Sequence, residues 1–146
     1  MFIRPVKRDD RDSWLRMRGA FWPGAGDEHA REVDRYFHAE AREPLEVLIA
    51  FEEEAVGFIE LSIRPYAEGC ETDRVAFVEG WYVDPNSRGT GVGAALIRAA
   101  EEWARSQDCT EIASDTEADN TSSAAAHVAV GFEEAAVLRC FRKPLP

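Results

Sequence analysis

The sequence is short of cysteine, of positive charge and of long apolar runs. Its three cysteines, Cys70, Cys109 and Cys140, are far apart and odd in number. That excludes a disulfide framework, and no pair has the spacing of a metal site, so no metal is expected. They read as reduced thiols, some of them in the core. Lys and Arg number 17 against 28 Asp and Glu, a formal net charge of -11. Nucleic acid and anionic membranes, which need basic patches, are poor partners for such a chain. The surplus suits a cationic ligand, or serves solubility alone. No apolar run approaches the roughly 20 residues of a membrane span. Met1-Phe2-Ile3-Arg4-Pro5 reads as a first strand and not as a secretory leader, so a cytoplasmic protein is expected. No repeat, low-complexity tract or linker divides the 146 residues, which read as one domain with one core.

Periodicity and turn signals give an order of elements. Phe2 to Val6 reads as a strand, and Asp9 to Met17 and Glu28 to Ala41 as helices on either side of the turn Trp22-Pro23-Gly24. Leu45 to Phe51, Val56 to Ile63 and Arg74 to Val83 read as strands, with a loop over Pro65 to Thr72. Val92, Ala95, Leu96, Ala99, Ala100 and Trp103 have a helical period, which predicts a helix from about Thr90 to Ser106. A short strand over Glu111 to Asp115, a helix from Asn120 and a last strand over Phe132 to Arg142 complete an α/β fold of the α+β type. The meander before the main helix is unlike a regular βαβ alternation.

The stretch Arg88-Gly89-Thr90-Gly91-Val92-Gly93 follows a strand and opens an amphipathic helix. Glycines let a backbone approach a ligand closely. The unpaired N–H groups of a first helical turn, with the helix dipole, suit a phosphate or pyrophosphate. Arg88 adds a charged donor at the rim. A P-loop needs Gly-Lys-Ser/Thr, and Gly93 is followed by Ala94. A dinucleotide fingerprint is met by Gly89, Gly91 and Ala94, but Asp84 to Arg88 intervene where it wants a tight turn, and too little chain follows for a doubly wound sheet.

Arg88-x-x-Gly91-x-Gly93 resembles the Q/R-x-x-G-x-G/A motif of the GCN5-related N-acetyltransferases, and the order of elements resembles that fold over nearly the whole chain. The resemblance implies a mostly antiparallel mixed sheet with one splayed pair of strands. It implies acetyl-CoA as cosubstrate, its pyrophosphate on Arg88, Gly89, Thr90, Gly91, Val92, Gly93 and Ala94. It further implies that the main chain of Trp81, Tyr82 and Val83, on a bulged strand, holds the pantetheine arm and thioester. A free N–H aimed at the thioester oxygen acts as an oxyanion hole does.

Asn120 reads as a helix N-cap. The segment Asn120 to Phe132 also resembles the family's second motif, in which the Asn meets the pantetheine arm. Where many members then carry a Tyr that protonates the departing thiolate, this chain has His127. Histidine can do that work near neutral pH, or can simply pack there. Glu79 stands in the apolar run Val75-Ala76-Phe77-Val78-Glu79-Gly80-Trp81-Tyr82-Val83, where a carboxylate is costly unless paired, wet or functional. Phe77, Glu79 and Trp81 share a face unless a bulge intervenes. Asp115 ends the neighbouring predicted strand. Both carboxylates suit an incoming ammonium that must lose a proton before it attacks. A structural ion pair for Glu79 and a turn role for Asp115 remain open.

Trp22-Pro23-Gly24, Glu79-Gly80, Ala113-Ser114-Asp115-Thr116, Asn120-Thr121 and His127 with Gly131-Phe132-Glu133-Glu134 look like aminoglycoside 6'-N-acetyltransferases. By that resemblance Trp22 and Tyr66 lie near the sugar, Glu79 and Asp115 contact its amines, the outcome is antibiotic resistance, and the protein is a homodimer. Cys140-Phe141 stands where close relatives are expected to carry a Tyr. Two alternatives are another amine acceptor (a polyamine or a peptide) and a non-catalytic protein that binds acetyl-CoA or a polyamine.

Overall fold

The computed structural model describes residues 1–40 and 43–146. Its centre is a five-stranded sheet in the order β1-β2-β3-β4-β5. The strands are β1 (Phe2–Pro5), β2 (Glu46–Phe51), β3 (Ala55–Arg64), β4 (Val75–Val83) and β5 (Ile112–Ser114). The first four pair antiparallel and β5 runs parallel to β4. This is the mixed, mostly antiparallel sheet expected.

Helices cover both faces. α3 (Val92–Ser106) lays Val92, Leu96, Ile97 and Ala100 on Leu48, Ala50, Ile59, Leu61 and Val78. Burying Leu96 and Ile97 contributes about 1.5–3 kcal/mol each, which holds the helix on the sheet. On the other face α1 (Arg11–Phe21) and α2 (Glu28–Phe37) bring Trp14, Met17 and Val33 onto Val47, Ile49, Phe58 and Tyr82. α4 (Thr121–Ala129) has no fully buried residue.

The helix ends depart from the sequence expectations for local reasons. α1 begins after a 3-10 turn at Arg8–Asp10 and continues past Met17 to Phe21, and Trp22 leaves helical geometry just before Pro23. α2 stops at Phe37 because Ala39 takes φ 56, a left-handed conformation; Ala41 lies outside the described residues. α3 starts at Val92, not Thr90, because Gly89 and Gly91 have φ 77 and 93, which no α-helix accommodates.

The last predicted strand, Phe132 to Arg142, is absent. Residues 133–146 carry no regular structure, and no backbone hydrogen bond is made by them among the described residues. Phe141 is 92% exposed, and Val137, Leu138 and Leu145 are exposed with it. The strand-like composition is there, but a strand is stable only against a partner, and no strand pairs with this segment among the described residues.

β3 and β4 carry the feature on which the site depends. Glu60 pairs with Gly80 and Leu61 with Val78, so Glu79 is the extra residue of a β-bulge. Cross-strand neighbours share a face. Phe77, opposite Ser62, and Glu79, bonded to Ser62, therefore lie on one side. Trp81, opposite Ile59, lies on the α3 side. The shared face expected for Phe77, Glu79 and Trp81 thus ends at Glu79. β5 pairs only with Ala76 to Val78, so pairing stops where the bulge begins. From Glu79 to Val83 the β5-facing edge of β4 has no strand beside it among the described residues, which is the splay.

Candidate active site

No backbone carbonyl accepts a hydrogen bond from the amides of Gly89, Thr90, Gly91, Val92, Gly93 or Ala94 among the described residues; the first amide to be paired is that of Ala95, to the carbonyl of Gly91 at 3.0 Å. The turn is held open by its own contacts. Thr90 Oγ1 donates to the Ser87 carbonyl at 2.5 Å, and Arg88 Nε to the Val83 carbonyl at 2.8 Å. A Cβ added at Gly89 or Gly91 would meet no protein atom within 4 Å, so both glycines face open space. A row of unpaired amides at the positive end of a helix dipole is fit to bind a diphosphate. The guanidinium of Arg88 lies 5.8 Å from the Tyr82 ring, at the edge of this row.

Trp81 couples the turn to the strand. Its indole N–H donates to the Gly93 carbonyl at 3.1 Å, and a side chain at Gly93 would lie 3.3 Å from the ring. Tyr82 is buried on the opposite face among Phe58 and Phe21, with its hydroxyl on Asp84 at 2.9 Å, so only its main chain faces the open edge. Val83 is half-buried against the α3 core.

His127 meets the other side of Trp81, edge to face with centroids 5.2 Å apart, and also Phe132. Its Nδ1 lies 2.7 Å from the Ser123 carbonyl and Nε2 lies 2.8 Å from Ser114 Oγ. A carbonyl only accepts, so Nδ1 carries the proton and Nε2 accepts from the serine hydroxyl. Proton donation by the ring therefore requires its protonated form. Asn120 caps α4, accepting from the Ser123 amide at 3.1 Å and from Ser122 Oγ. That confirms the capping role; its amide NH2 makes no protein hydrogen bond among the described residues.

On the α1/α2 face Glu79 is engaged. Arg64 Nε donates to Oε1 at 3.0 Å and Nη2 to Oε2 at 2.7 Å, while Ser62 Oγ donates a short hydrogen bond to Oε1. The Arg64 guanidinium lies 3.6 Å from the centroid of Phe77. Its pKa is raised, first by the hydrogen bonds to Glu79, then by their charge attraction and, more weakly, by Glu43 and Asp115. Asp115, exposed one residue beyond β5, therefore belongs to the same electrostatic neighbourhood as Glu79. Tyr66, on the β3–β4 loop, is 65% exposed with its hydroxyl on Glu68 at 3.0 Å.

Trp22 borders this face. A Cβ at Gly80 would sit 2.6 Å from the tip of the Trp22 ring. His29 Nε2 donates to the Trp22 carbonyl at 2.8 Å, its Nδ1 faces Arg18 Nη1 at 3.3 Å, and the Arg18 guanidinium lies 5.1 Å from the Trp22 ring. Beneath, Arg18 bonds the buried Glu60 through Nε and Nη2 at 2.7 and 3.1 Å, with Trp14 Nε1 on the same carboxylate. Burial pushes the Glu60 carboxyl up, and Arg18 and then Trp14 pull against it.

The structure thus groups the expected residues on two sides of β4. Trp81, His127 and the glycine turn stand on the α3 side, and Trp22 and Glu79 stand on the other, with Asp115 at the end of β5 and Tyr66 exposed on the β3–β4 loop. Sequence reasoning missed Arg64, Arg18, Glu60, His29 and Ser62. A signal existed for three of them: in Glu60-Leu61-Ser62-Ile63-Arg64 the polar residues alternate on one face of a strand. Among the described residues no group of His, Cys, Asp and Glu could hold a metal.

The pattern of the acetyltransferase (GNAT) family matches residues 11–132. An aminoglycoside N(6')-acetyltransferase type 1 from Klebsiella aerogenes is 53% identical, the match covering 98% of this chain and 96% of that protein. A protein of the same name from Stenotrophomonas maltophilia is 39% identical over 98% and 93%. Among solved structures, the apo aminoglycoside antibiotic 6'-N-acetyltransferase AAC(6')-IG from Acinetobacter haemolyticus superposes with a TM-score of 0.92 at 37% identity, covering 100% of both chains. AAC(6')-Iy, in complex with the bisubstrate analog CoA-S-monomethyl-acetylneamine, gives 0.90 at 35%, covering 99% of this chain and 98% of that one.

Proposed function

The chain belongs to the acetyltransferase (GNAT) family, and from that membership we infer that it transfers the acetyl group of acetyl-CoA to the 6'-amine of aminoglycoside antibiotics. The observation that carries the reading is the row of unpaired amides from Gly89 to Ala94 beside the strandless edge of β4. The amides receive the diphosphate of coenzyme A, with Arg88 at the rim. The main chain of Trp81, Tyr82 and Val83 holds the pantetheine arm as a missing strand would be held, and the Asn120 amide lies along it. Acetyl-CoA supplies the activated acyl group; the protein supplies placement and proton transfer. Acetylation removes the positive charge and hydrogen bonding of the drug amine, which is resistance.

The sugar lies on the side of Trp22 and Tyr66, whose aromatic faces suit cations and sugar rings. Its ammonium groups meet Glu79 and Asp115. One of these carboxylates draws the proton from the 6'-amine directly or through water, and His127 returns one to the thiolate. Residues 1–146 work as one N-acetyltransferase domain.

A homodimer is part of the same reading. Each chain exposes a strand-like tail, residues 133–146, that makes no backbone hydrogen bond, and a β5 paired on one side only. Unmatched strand and unmatched edge on one molecule are complementary in a twofold pair. Light scattering on the full chain and on a chain ending at Phe132 tests it; a full-length monomer would refute it. No helix among the described residues is long and apolar enough to cross a membrane. A cytoplasmic enzyme, where the cosubstrate is made, fits the reading and is checked by cell fractionation.

The deciding experiment is a mass spectrum of kanamycin incubated with enzyme and acetyl-CoA, with the modified nitrogen mapped. A single acetyl at the 6' nitrogen, and no product when a hydroxyl replaces that amine, is the expected result. Equal turnover of the 6'-hydroxyl congener would overturn the regiochemistry.

A further inference from the structure

Glu79 does not wait empty for a substrate ammonium. Arg64 holds both its oxygens, and the guanidinium is stacked on Phe77 at 3.6 Å. We propose that Arg64 is a resident cation that the aminoglycoside must displace from Glu79, so that acceptor binding is an exchange of one cation for another and Arg64 sets its affinity. The inference rests on the reading of Glu79 as part of the acceptor subsite.

Three observations carry it. First, the carboxylate is left little room. Oε1 accepts from Ser62 and Arg64 Nε, and Oε2 accepts from Arg64 Nη2. Three of a carboxylate's roughly four acceptor positions are thus taken, so an ammonium that makes more than one bond to Glu79 has to take a position from the guanidinium. Second, the pair can be opened. The Arg64 side chain is 37% exposed and that of Glu79 20%. Such half-exposed pairs contribute little net free energy, unlike a desolvated one, whose rupture strands a charge. Buried Glu60 with Arg18 is the counter-example within this protein: there the side chains are 2% and 7% exposed. Third, neither partner loses its place on separation. Ser62 still orients Oε1, and Phe77 still offers its face to the guanidinium.

The chemistry explains why a cation belongs there. An unpaired carboxylate on the bulge of a central strand is costly in the free enzyme. An internal arginine removes that cost, and a drug carrying several ammonium groups replaces it by engaging Glu79 and Asp115 together.

The test is steady-state kinetics at low salt with kanamycin and acetyl-CoA for the wild type, Arg64→Gln, Arg64→Lys and Glu79→Gln. Arg64→Gln is expected to lower the kanamycin KM about 3- to 5-fold, the scale of a half-exposed ion pair, with the acetyl-CoA KM unchanged. Arg64→Lys, with a point charge in place of a fork, is expected to fall between. Glu79→Gln is expected to raise the kanamycin KM. Should Arg64→Gln raise the kanamycin KM or leave it unchanged while Glu79→Gln raises it, Arg64 is a brace and not a competitor, and the proposal is overturned with the functional reading intact. Should Glu79→Gln leave that KM unchanged, Glu79 lies outside the acceptor subsite and both fall. If Arg64→Gln melts below the assay temperature, the Lys variant decides: a KM at or above that of the wild type overturns the proposal.

Discussion

Gly80→Ala tests whether Trp22 is a platform for the sugar or only a packed aromatic. A methyl group at Gly80 would stand 2.6 Å from Trp22 Cη2, 3.0 Å from Cζ2 and 3.5 Å from Phe21 Cε2. The strand cannot give way, because Gly80 is paired with Glu60 beside the bulge. The indole must move instead, by about 0.8 Å to reach the 3.4 Å of ordinary contact. Its backbone is tied through His29 to α2, so the ring swings away from β4. Overpacking of this kind costs about 1–3 kcal/mol of stability. A displacement near 1 Å in a substrate-positioning group costs up to about 100-fold in rate. Kanamycin kcat/KM is therefore expected to fall about 10- to 100-fold, read by thiol release. Coenzyme A affinity, read by calorimetry, should hold within about 2-fold, because Trp22 and α3 lie on opposite faces of the sheet. In a Trp22→Ala background the added methyl meets only Phe21 Cε2, at the ordinary contact distance of 3.5 Å, and its penalty should disappear. A kanamycin kcat/KM that is unaltered by Gly80→Ala, or an equal penalty with and without the indole, would refute the reasoning.

Gly91→Val puts a β-branched residue at φ 93 and a side chain into the open space where the diphosphate binds; coenzyme A affinity by calorimetry should weaken about 10-fold or more, from strain of about 1–3 kcal/mol and lost access. Asp115→Ala should lower kcat with kanamycin at saturating acetyl-CoA about 10-fold or more, and an unaltered kcat removes it from the proton path. The Arg4 guanidinium, bidentate at 2.6 and 3.0 Å, holds the Asp10 carboxyl below its ordinary value. A depressed carboxylate stabilises the fold above its unfolded pKa of about 3.9 and loses that contribution as pH falls through the lower folded value. Arg4→Gln should accordingly lower Tm by about 3 °C at pH 7, for a partly exposed pair contributing about 1 kcal/mol. The difference in Tm should shrink as pH falls below the ordinary carboxylate range, and a constant difference across pH would contradict the assignment.

What the sequence made legible is what a single residue's chemistry dictates. Gly89 and Gly91 announce positive φ ahead of an amphipathic helix, and a carboxylate in the apolar run of β4 is anomalous wherever that strand sits. The partners of those residues were not legible. Arg64 reaches Glu79 only because β3 and β4 pair in one register with one extra residue, and no local pattern fixes a register. Arg18 and Glu60 lie 42 positions apart, and their pairing needs α1 laid across β3. His127 shows the same limit: the residue and its place after Asn120 were readable, but its contacts with Ser114 and Trp81, from other elements, were not. The tail shows the reverse failure. Phe132 to Arg142 has a strand's composition, but composition cannot state whether a partner edge exists in the same chain.

The bulge at Glu79 joins the two halves of the site, and it separates charge from geometry in a testable way. Glu79 is the one residue of β4 without a cross-strand partner, so deleting it leaves Val78 opposite Leu61, Gly80 opposite Glu60 and Trp81 opposite Ile59. No other side chain changes face, and the deletion should fold, with a far-UV spectrum like that of the wild type. The strand would nevertheless lose the bend that turns it from β5, since a bulge increases twist and ends pairing locally. β4 then continues alongside β5 and closes the edge that receives the pantetheine arm. Glu79→Gln keeps the bend and removes only the charge. The deletion should therefore weaken coenzyme A binding about 10-fold or more, corresponding to about 1.4 kcal/mol, whereas Glu79→Gln should leave it unchanged and affect the acceptor alone. A folded deletion variant that binds coenzyme A like the wild type would show that the splay does not depend on the extra residue.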